Sequence, residues 1–227
     1  MKVTLIRHTK VGVPKGTCYG WSDVPVADTF EKEATVTIEK LEQFKPFDMV
    51  YSSPLTRARK LAEACGYPTP ELEDRLKEMN MGDWEMILYD DIAKEDPHIL
   101  DWYNDYMHLE ATGGESFPIL YERVSDFLNE LKNKPYNNVA IFAHGGVLIC
   151  AGIYGKLFKC LRKSCRLRRH SNYRDLISIV LFLQHNKQEV GLYYHYISIQ
   201  ILYRQPHLIL VLLFHFLVFL QTLHILD

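Results

Sequence analysis

Two basic side chains stand together at the end of the first apolar run of this chain. Val3-Thr4-Leu5-Ile6 is short, β-branched and aliphatic, and Arg7 and His8 follow it at once. Such a run reads as a buried strand, and open α/β sheets bind ligands beyond the carboxyl ends of their strands. Arg7 there offers a planar, permanently charged fork to an anion. His8 offers an imidazole able to attack or to carry a proton. A capped strand end with two solvated side chains would account for the same dipeptide, so the pair needs partners. Arg57 lies one turn into the helix expected after a second strand, and His144 closes the apolar run Asn138–Ala143 just before Gly145 and Gly146. Those glycines allow close backbone approach and lead into a helix N-terminus, a favourable place for an anion. Two guanidinium forks and two imidazoles meeting at one sheet edge suit a phosphoryl group, with no metal or cofactor in the set.

The elements that must position these groups can be read from periodicity. Ala27, Phe30, Ala34, Ile38, Leu41 and Phe44 form a helical stripe, with Asp28 as its N-cap and Pro46 as its stop. Phe47–Ser52 reads as a second strand. Ser53-Pro54 opens a helix carrying Arg57, Leu61 and Ala64 to a stop at Gly66, with Pro54 where its missing N–H costs nothing. Thr69–Leu72 is a further strand candidate, and Asp90–Met107 reads as helix interrupted by Pro97. A helix from Pro118 to Leu131, the strand Asn138–Ala143 and a helix from Val147 to Leu157 complete the series. Alternating strands and helices predict a three-layer α/β/α sandwich around a mostly parallel sheet.

Composition divides the chain. Residues 1–155 hold 16 Lys and Arg against 25 Asp and Glu, a net −9, whereas residues 156–227 hold 10 against 3, a net +7. The last 72 residues contain no Ala and one Gly, and carry six of the ten His. An evolved domain seldom changes character so abruptly, so the expected boundary falls near Gly155, with a main domain over residues 1–157 and an atypical tail over 158–227. Lys2 precedes too few apolar residues for a secretory signal. Five Cys without a Cys-x-x-Cys imply reduced thiols and a cytoplasmic setting. No zinc spacing and no Walker or dinucleotide glycine pattern is present.

Five blocks, in order, carry a resemblance. Leu5-Ile6-Arg7-His8-Thr9, Ser52-Ser53-Pro54-Leu55-Thr56-Arg57-Ala58, Leu76 to Glu85, Gly113-Gly114-Glu115-Ser116 and His144-Gly145-Gly146 resemble the histidine phosphatase superfamily in its phosphoglycerate mutase-like branch. The loop Cys18 to Pro25, together with Arg-His-Thr in place of the commoner Arg-His-Gly, looks most like α-ribazole phosphatases of cobalamin nucleotide-loop assembly. The resemblance implies that His8 attacks phosphorus and becomes a phosphohistidine, while Arg7, Arg57 and His144 hold the phosphoryl oxygens. It implies that Glu78 protonates the leaving oxygen and then activates water. It places Thr17, Cys18, Tyr19, Gly20 and Gly145 around the substrate, a small phosphate ester, with no nucleic acid partner. Splitting hydrolysis into two displacements is what covalent catalysis offers, and fixed cations stabilise the charge in transfer. A mutase, a phosphatase of another small ester, and an inactive phospho-ligand-binding protein are the competing readings.

The pattern also has departures. Pro14 stands where many members carry Asn, with Lys10, Lys15 and Thr17 as candidate substitutes, and Glu85-Met86 replaces the usual Glu-Gly. Beyond Leu157 the resemblance fades, although 175–183 could supply a closing strand. Three readings compete for the tail: a nucleic-acid or anionic-membrane contact by the basic run 159–174, a tail anchor at 208–220, and a shifted reading frame near residue 157. Thirteen residues fall short of the roughly 20 that span a bilayer, so no membrane span is expected. The shifted frame accounts for the missing Ala and Gly and is the reading preferred.

Overall fold

The computed structural model describes residues 1–155 and the backbone of one further strand at 178–182. Five strands form one sheet: β1 (Lys2–Arg7), β2 (Met49–Ser52), β3 (Glu71–Leu72), β4 (Asn138–Ala143) and β5 (Ser178–Phe182), in the order β3-β2-β4-β1-β5. Every pairing is parallel. Among the described residues six α-helices accompany them: α1 (Phe30–Leu41), α2 (Thr56–Ala64), α3 (Tyr89–Glu95), α4 (His98–Asp105), α5 (Phe117–Leu131) and α6 (Gly145–Tyr154).

The strand sequences explain why both faces are covered. Side chains alternate across a strand. Val3 and Leu5 of β1, Tyr51 of β2 and Val139, Ile141 and Ala143 of β4 accordingly join one buried cluster with α3 to α6. Their neighbours Ile6, Val50, Ala140 and Phe142 join a second cluster with Ala34 and Leu41 of α1 and Leu61 and Ala62 of α2. A strand buried on both sides has no polar face, which is why these runs read as continuous rather than alternating hydrophobics. The result is an α/β/α sandwich.

Several boundaries depart from expectation for local reasons. The first helix begins at Phe30, not Ala27, with Thr29 rather than Asp28 at its N-cap position, and it tightens into a 3-10 turn over Glu42–Phe44. Pro54 precedes the second helix by two residues instead of occupying its first position. Asp23, from a distant loop, supplies the cap: its carboxylate accepts from the Thr56 N–H and the Thr56 hydroxyl, both at 2.7 Å. The strand expected at Thr69–Leu72 shrinks to two exposed residues at the sheet edge, because Pro70 has no N–H to give a ladder. The last helix starts at Gly145, two residues before Val147, and ends at Tyr154. The basic run 159–174, the apolar run 208–220 and the frame break expected near residue 157 lie outside the described residues.

Candidate active site

The parallel register sets three strand ends side by side. Arg7 pairs with Ala143 across β1 and β4. The His8 N–H extends that ladder to the Ala143 carbonyl at 3.1 Å, and the Ser53 N–H bonds the Phe142 carbonyl at 2.9 Å. His8, His144 and Ser53 are thereby delivered to one carboxyl edge, the crevice that doubly wound sheets reserve for ligands.

The two imidazoles lie with ring centroids 5.1 Å apart. His8 Nδ1 is 2.6 Å from the Thr9 carbonyl oxygen. A carbonyl only accepts, so Nδ1 carries the proton, and Nε2 of the neutral ring keeps its lone pair. Burial drives the His8 pKa well below 6.5, and the charges of Arg57 and Arg7 push it further, against the Thr9 bond. His144 takes the opposite tautomer. Its Nδ1 accepts from Arg57 Nε at 3.3 Å, and its Nε2–H donates to Ser53 Oγ at 2.8 Å. Burial is again the largest cause of a pKa held well below 6.5, followed by Arg57, His8, Arg7 and Arg123. Both rings are therefore neutral at pH 7.

Arg57 is fully buried rather than lying on an exposed helical turn. Besides His144 it donates through Nη1 to the Ser22 carbonyl at 2.9 Å and through Nη2 to the Gly20 carbonyl at 2.6 Å. Tyr19 lies with its ring centroid 5.3 Å from the guanidinium carbon. A guanidinium has five N–H donors, and these three bonds leave two for an incoming anion. Burial lowers the Arg57 pKa, opposed first by the charge of Glu78, so that carboxylate acts on the same site. Glu78 accepts from the Met79 N–H at 2.9 Å and from the Gly146 N–H at 3.1 and 3.2 Å, at the head of α6. The approach is close because Gly146 has no side chain. A Cβ at that position would lie 2.3 Å from Glu78 Oε1.

Two groups that the residue pattern alone gave no role hold this geometry. Glu85 accepts from the N–H groups of Gly20, Trp21, Ser22 and Met81 at 2.7 to 3.1 Å. Burial pushes its pKa up, but these donors outweigh burial and hold it below the usual value. By fixing residues 20–22, Glu85 aims the carbonyls that orient Arg57. Ser53 plays the corresponding part for His144. Glu85 and Ser53 stood inside the matched blocks, but their partners, up to 91 residues away in sequence, could not be read from spacing.

The expected substrate loop divides. Gly20 and Tyr19 face Arg57 as described, and Gly145 is buried as the first residue of α6. Cys18 departs from its expected place at the substrate. Its side chain is fully buried in the core beside Tyr89, and burial pushes its thiol pKa up to about 12. Thr17 is buried with its hydroxyl donating to the Pro14 carbonyl at 2.7 Å, so that donor is already committed. Lys10 and Lys15 are exposed.

The family model described as histidine phosphatase superfamily (branch 1) matches residues 3–170. The chain belongs to the histidine phosphatase superfamily. At that level it is a phosphatase, built on the superfamily's α/β fold. It is similar to Phosphoserine phosphatase 1 of Hydrogenobacter thermophilus, 29% identical over 147 residues that cover 62% of this chain and 69% of that protein. It is similar to the adenosylcobalamin/α-ribazole phosphatase of Salmonella typhimurium, 32% identical over 154 residues covering 65% and 76%. Among solved structures, the α-ribazole phosphatase of Shigella flexneri superposes with a TM-score of 0.58 at 29% identity, covering 68% of this chain and 78% of that one. Among the described residues of this histidine phosphatase, no helix is long and apolar enough to cross a membrane.

Proposed function

We propose that the chain hydrolyses phosphate monoesters without a metal, through a phosphohistidine on His8, and that its substrate is α-ribazole 5′-phosphate. One observation carries the chemistry. The Thr9 carbonyl holds the proton of His8 on Nδ1, so Nε2 presents a lone pair beside two guanidinium groups. In the first displacement Nε2 bonds to phosphorus while the P–O bond to the alcohol breaks and Glu78 gives that oxygen its proton. Arg7 and the two uncommitted N–H groups of Arg57 take the charge of the equatorial oxygens, stabilisation that needs no reorganisation during the reaction. In the second displacement Glu78 takes a proton from water, the water oxygen bonds to phosphorus, and the N–P bond breaks. His144 holds Arg57 through Nδ1, and its Nε2–H, which bonds Ser53, is the donor that it offers to an incoming anion.

The substrate rests on the kinship to α-ribazole phosphatases and on the residues of two segments. Residues 17–22 and 85–88 are joined by bonds from the Cys18 N–H to the Ile87 carbonyl and from the Met86 N–H to the Cys18 carbonyl. Exposed Trp21, Met86 and Leu88 stand on them, an apolar set suited to an alcohol larger and flatter than serine. The similarity to a phosphoserine phosphatase makes phosphoserine the second reading. Reduced thiols support work in the cytoplasm, since Cys18, Cys65 and Cys150 are buried and unpaired with one another.

The test is turnover of α-ribazole 5′-phosphate and O-phosphoserine in EDTA, by wild type and His8→Ala. We expect release of phosphate by wild type, none by His8→Ala, and a higher kcat/KM for α-ribazole 5′-phosphate. Preference for phosphoserine would overturn the substrate. Activity that survives in His8→Ala, or wild type inert on both esters, would overturn the mechanism.

A further inference from the structure

Arg123 is used to capacity: three of its five donors bond the segment that carries Glu78, and the other two bond Glu115. Nε and Nη2 bond the two carboxylate oxygens of Glu115, each at 2.9 Å. Nη1 donates to the carbonyls of Arg75 at 2.8 Å and Lys77 at 2.7 Å, and Nη2 donates to the Glu78 carbonyl at 2.7 Å. Glu115 then reaches the same segment itself: its Oε2 accepts from the Asn80 N–H at 2.8 Å, and its own N–H donates to the Asn80 carbonyl at 2.8 Å. Gly114 lets the strands of chain meet, because a Cβ there would lie 2.4 Å from the Asn80 carbonyl oxygen. Both charged side chains are largely withdrawn from water, at 15% and 12% exposure, where a bidentate charged pair is strong and geometrically demanding.

We infer that Arg123 and Glu115 are positioning residues for the proton-transferring carboxyl of Glu78. The inference rests on the hydrolase reading above and deepens it. Residues 77–81 are irregular backbone, with no sheet ladder of their own to fix them. Glu78 is instead held at both ends: its carbonyl by Arg123, its carboxylate by the Gly146 N–H at the head of α6. A carboxyl so suspended keeps one position relative to the leaving oxygen, and a displacement of about 1 Å in such a group can cost about 100-fold in rate. Lys at 123 offers three donors from a single point. It cannot bridge three carbonyls and a carboxylate, so the backbone at 78 is released while a positive charge remains.

The experiment compares two esters, p-nitrophenyl phosphate with a good leaving group and a primary alkyl phosphate with a poor one. Wild type, Arg123→Lys, Glu115→Gln, Glu78→Gln and Arg123→Lys/Glu78→Gln are each assayed on both, with thermal unfolding measured alongside. The comparison uses kcat/KM, which covers the steps through release of the alcohol and leaves out the second displacement that both esters share; in the first displacement only the poor leaving group needs a well-placed acid. Arg123→Lys and Glu115→Gln are expected to lower kcat/KM for the alkyl ester by about tenfold or more and for p-nitrophenyl phosphate by less than about threefold, on the scale of a misplaced catalytic group. The double variant should be no slower than Glu78→Gln alone, since the pair acts through Glu78. Equal losses on both esters, or additive losses in the double variant, would overturn the inference while leaving the hydrolase reading intact. If Glu78→Gln itself shows no leaving-group dependence, the role of Glu78 falls, and the inference falls with it. If Arg123→Lys does not fold, Glu115→Gln carries the test, because its amide keeps the shape and one acceptor oxygen.

Discussion

The neutrality of the two buried imidazoles has a consequence for stability as well as for catalysis. His8 and His144 both titrate well below 6.5, burial being the largest cause. The unfolded chain binds protons on these rings below 6.5 and the folded chain does not, so unfolding takes up protons there and stability falls as pH falls. One unit below the unfolded pKa, each ring contributes a ceiling of about 1.4 kcal/mol, or about 2.7 kcal/mol for the pair between pH 7.5 and 5.5. That stability is fully present above 6.5 and is lost as pH drops toward the depressed folded values. Carboxylates such as Glu73, Glu85 and Asp96, whose pKa values are also lowered, act at lower pH, so the window from 7.5 to 5.5 isolates the imidazoles. Urea unfolding at the two pH values, for wild type, His8→Asn and His144→Asn, measures the effect. With an m-value of about 2 kcal/mol/M, the wild-type midpoint should drop by up to about 1.4 M at pH 5.5, and each Asn variant should recover about half of the drop. An identical midpoint shift in wild type and in both variants would refute the claim that these rings are buried neutral. The same depression keeps His8 nucleophilic at pH 6, where an ordinary histidine is mostly protonated.

Other perturbations have equally definite outcomes. Gly146→Ala places a Cβ 2.3 Å from Glu78 Oε1. Turnover of an alkyl phosphate should fall by about 100-fold, while overpacking is offset in part by the roughly 1 kcal/mol that Ala favours in a helix; wild-type kcat in this variant would show that Glu78 is not where the reaction needs it. Glu85→Gln replaces an oxygen that accepts N–H bonds with a donor, costing about 1–3 kcal/mol at a half-buried site. Loosening residues 20–22 should raise KM for the ester more than it lowers kcat, and an unchanged KM would separate Glu85 from Arg57. Met86 has φ 66°, a left-handed conformation that costs a side-chain-bearing residue about 1–2 kcal/mol. Met86→Gly should therefore raise the urea midpoint by a net gain under about 1 kcal/mol after the added freedom of the unfolded glycine, and a lowered midpoint would contradict the strain.

Much of the frame was legible because it depends on local pattern. Asn138–Ala143 was read to the residue, since a β-branched and aliphatic run bounded by Asn and by His-Gly-Gly has few alternatives. The weak elements failed where distant groups decide. Pro54 looked like the first residue of a helix, but the Asp23 carboxylate, 33 residues away, caps Thr56 and sets the start there. Val147 looked like the start of α6 because glycines are poor helix formers. Gly145 and Gly146 are nevertheless helical, and the Gly146 N–H at the head of that helix meets the Glu78 carboxylate. Cys18 read as a ligand-facing loop residue, yet the core captured its side chain, which the sequence of an irregular loop cannot reveal.

For the site, the residue types and their order determined which groups arrive at the sheet edge: Arg7 at the end of β1 and His8 just after it, Arg57 after β2, His144 after β4. Parallel strands of fixed register leave them little freedom to arrive elsewhere. Protonation and aim were decided only in three dimensions. An imidazole can carry its proton on either nitrogen, and the choice follows from whichever acceptor or donor lies against the other one. Here the Thr9 carbonyl, the Arg57 guanidinium and the Ser53 hydroxyl make that choice. The grips of Glu85 on residues 20–22 and of Arg123 on residues 75–78 likewise join chain segments tens of residues apart. Each is a hydrogen bond whose strength depends on tenths of an ångström and on exclusion of water, quantities that exist only once the chain has folded.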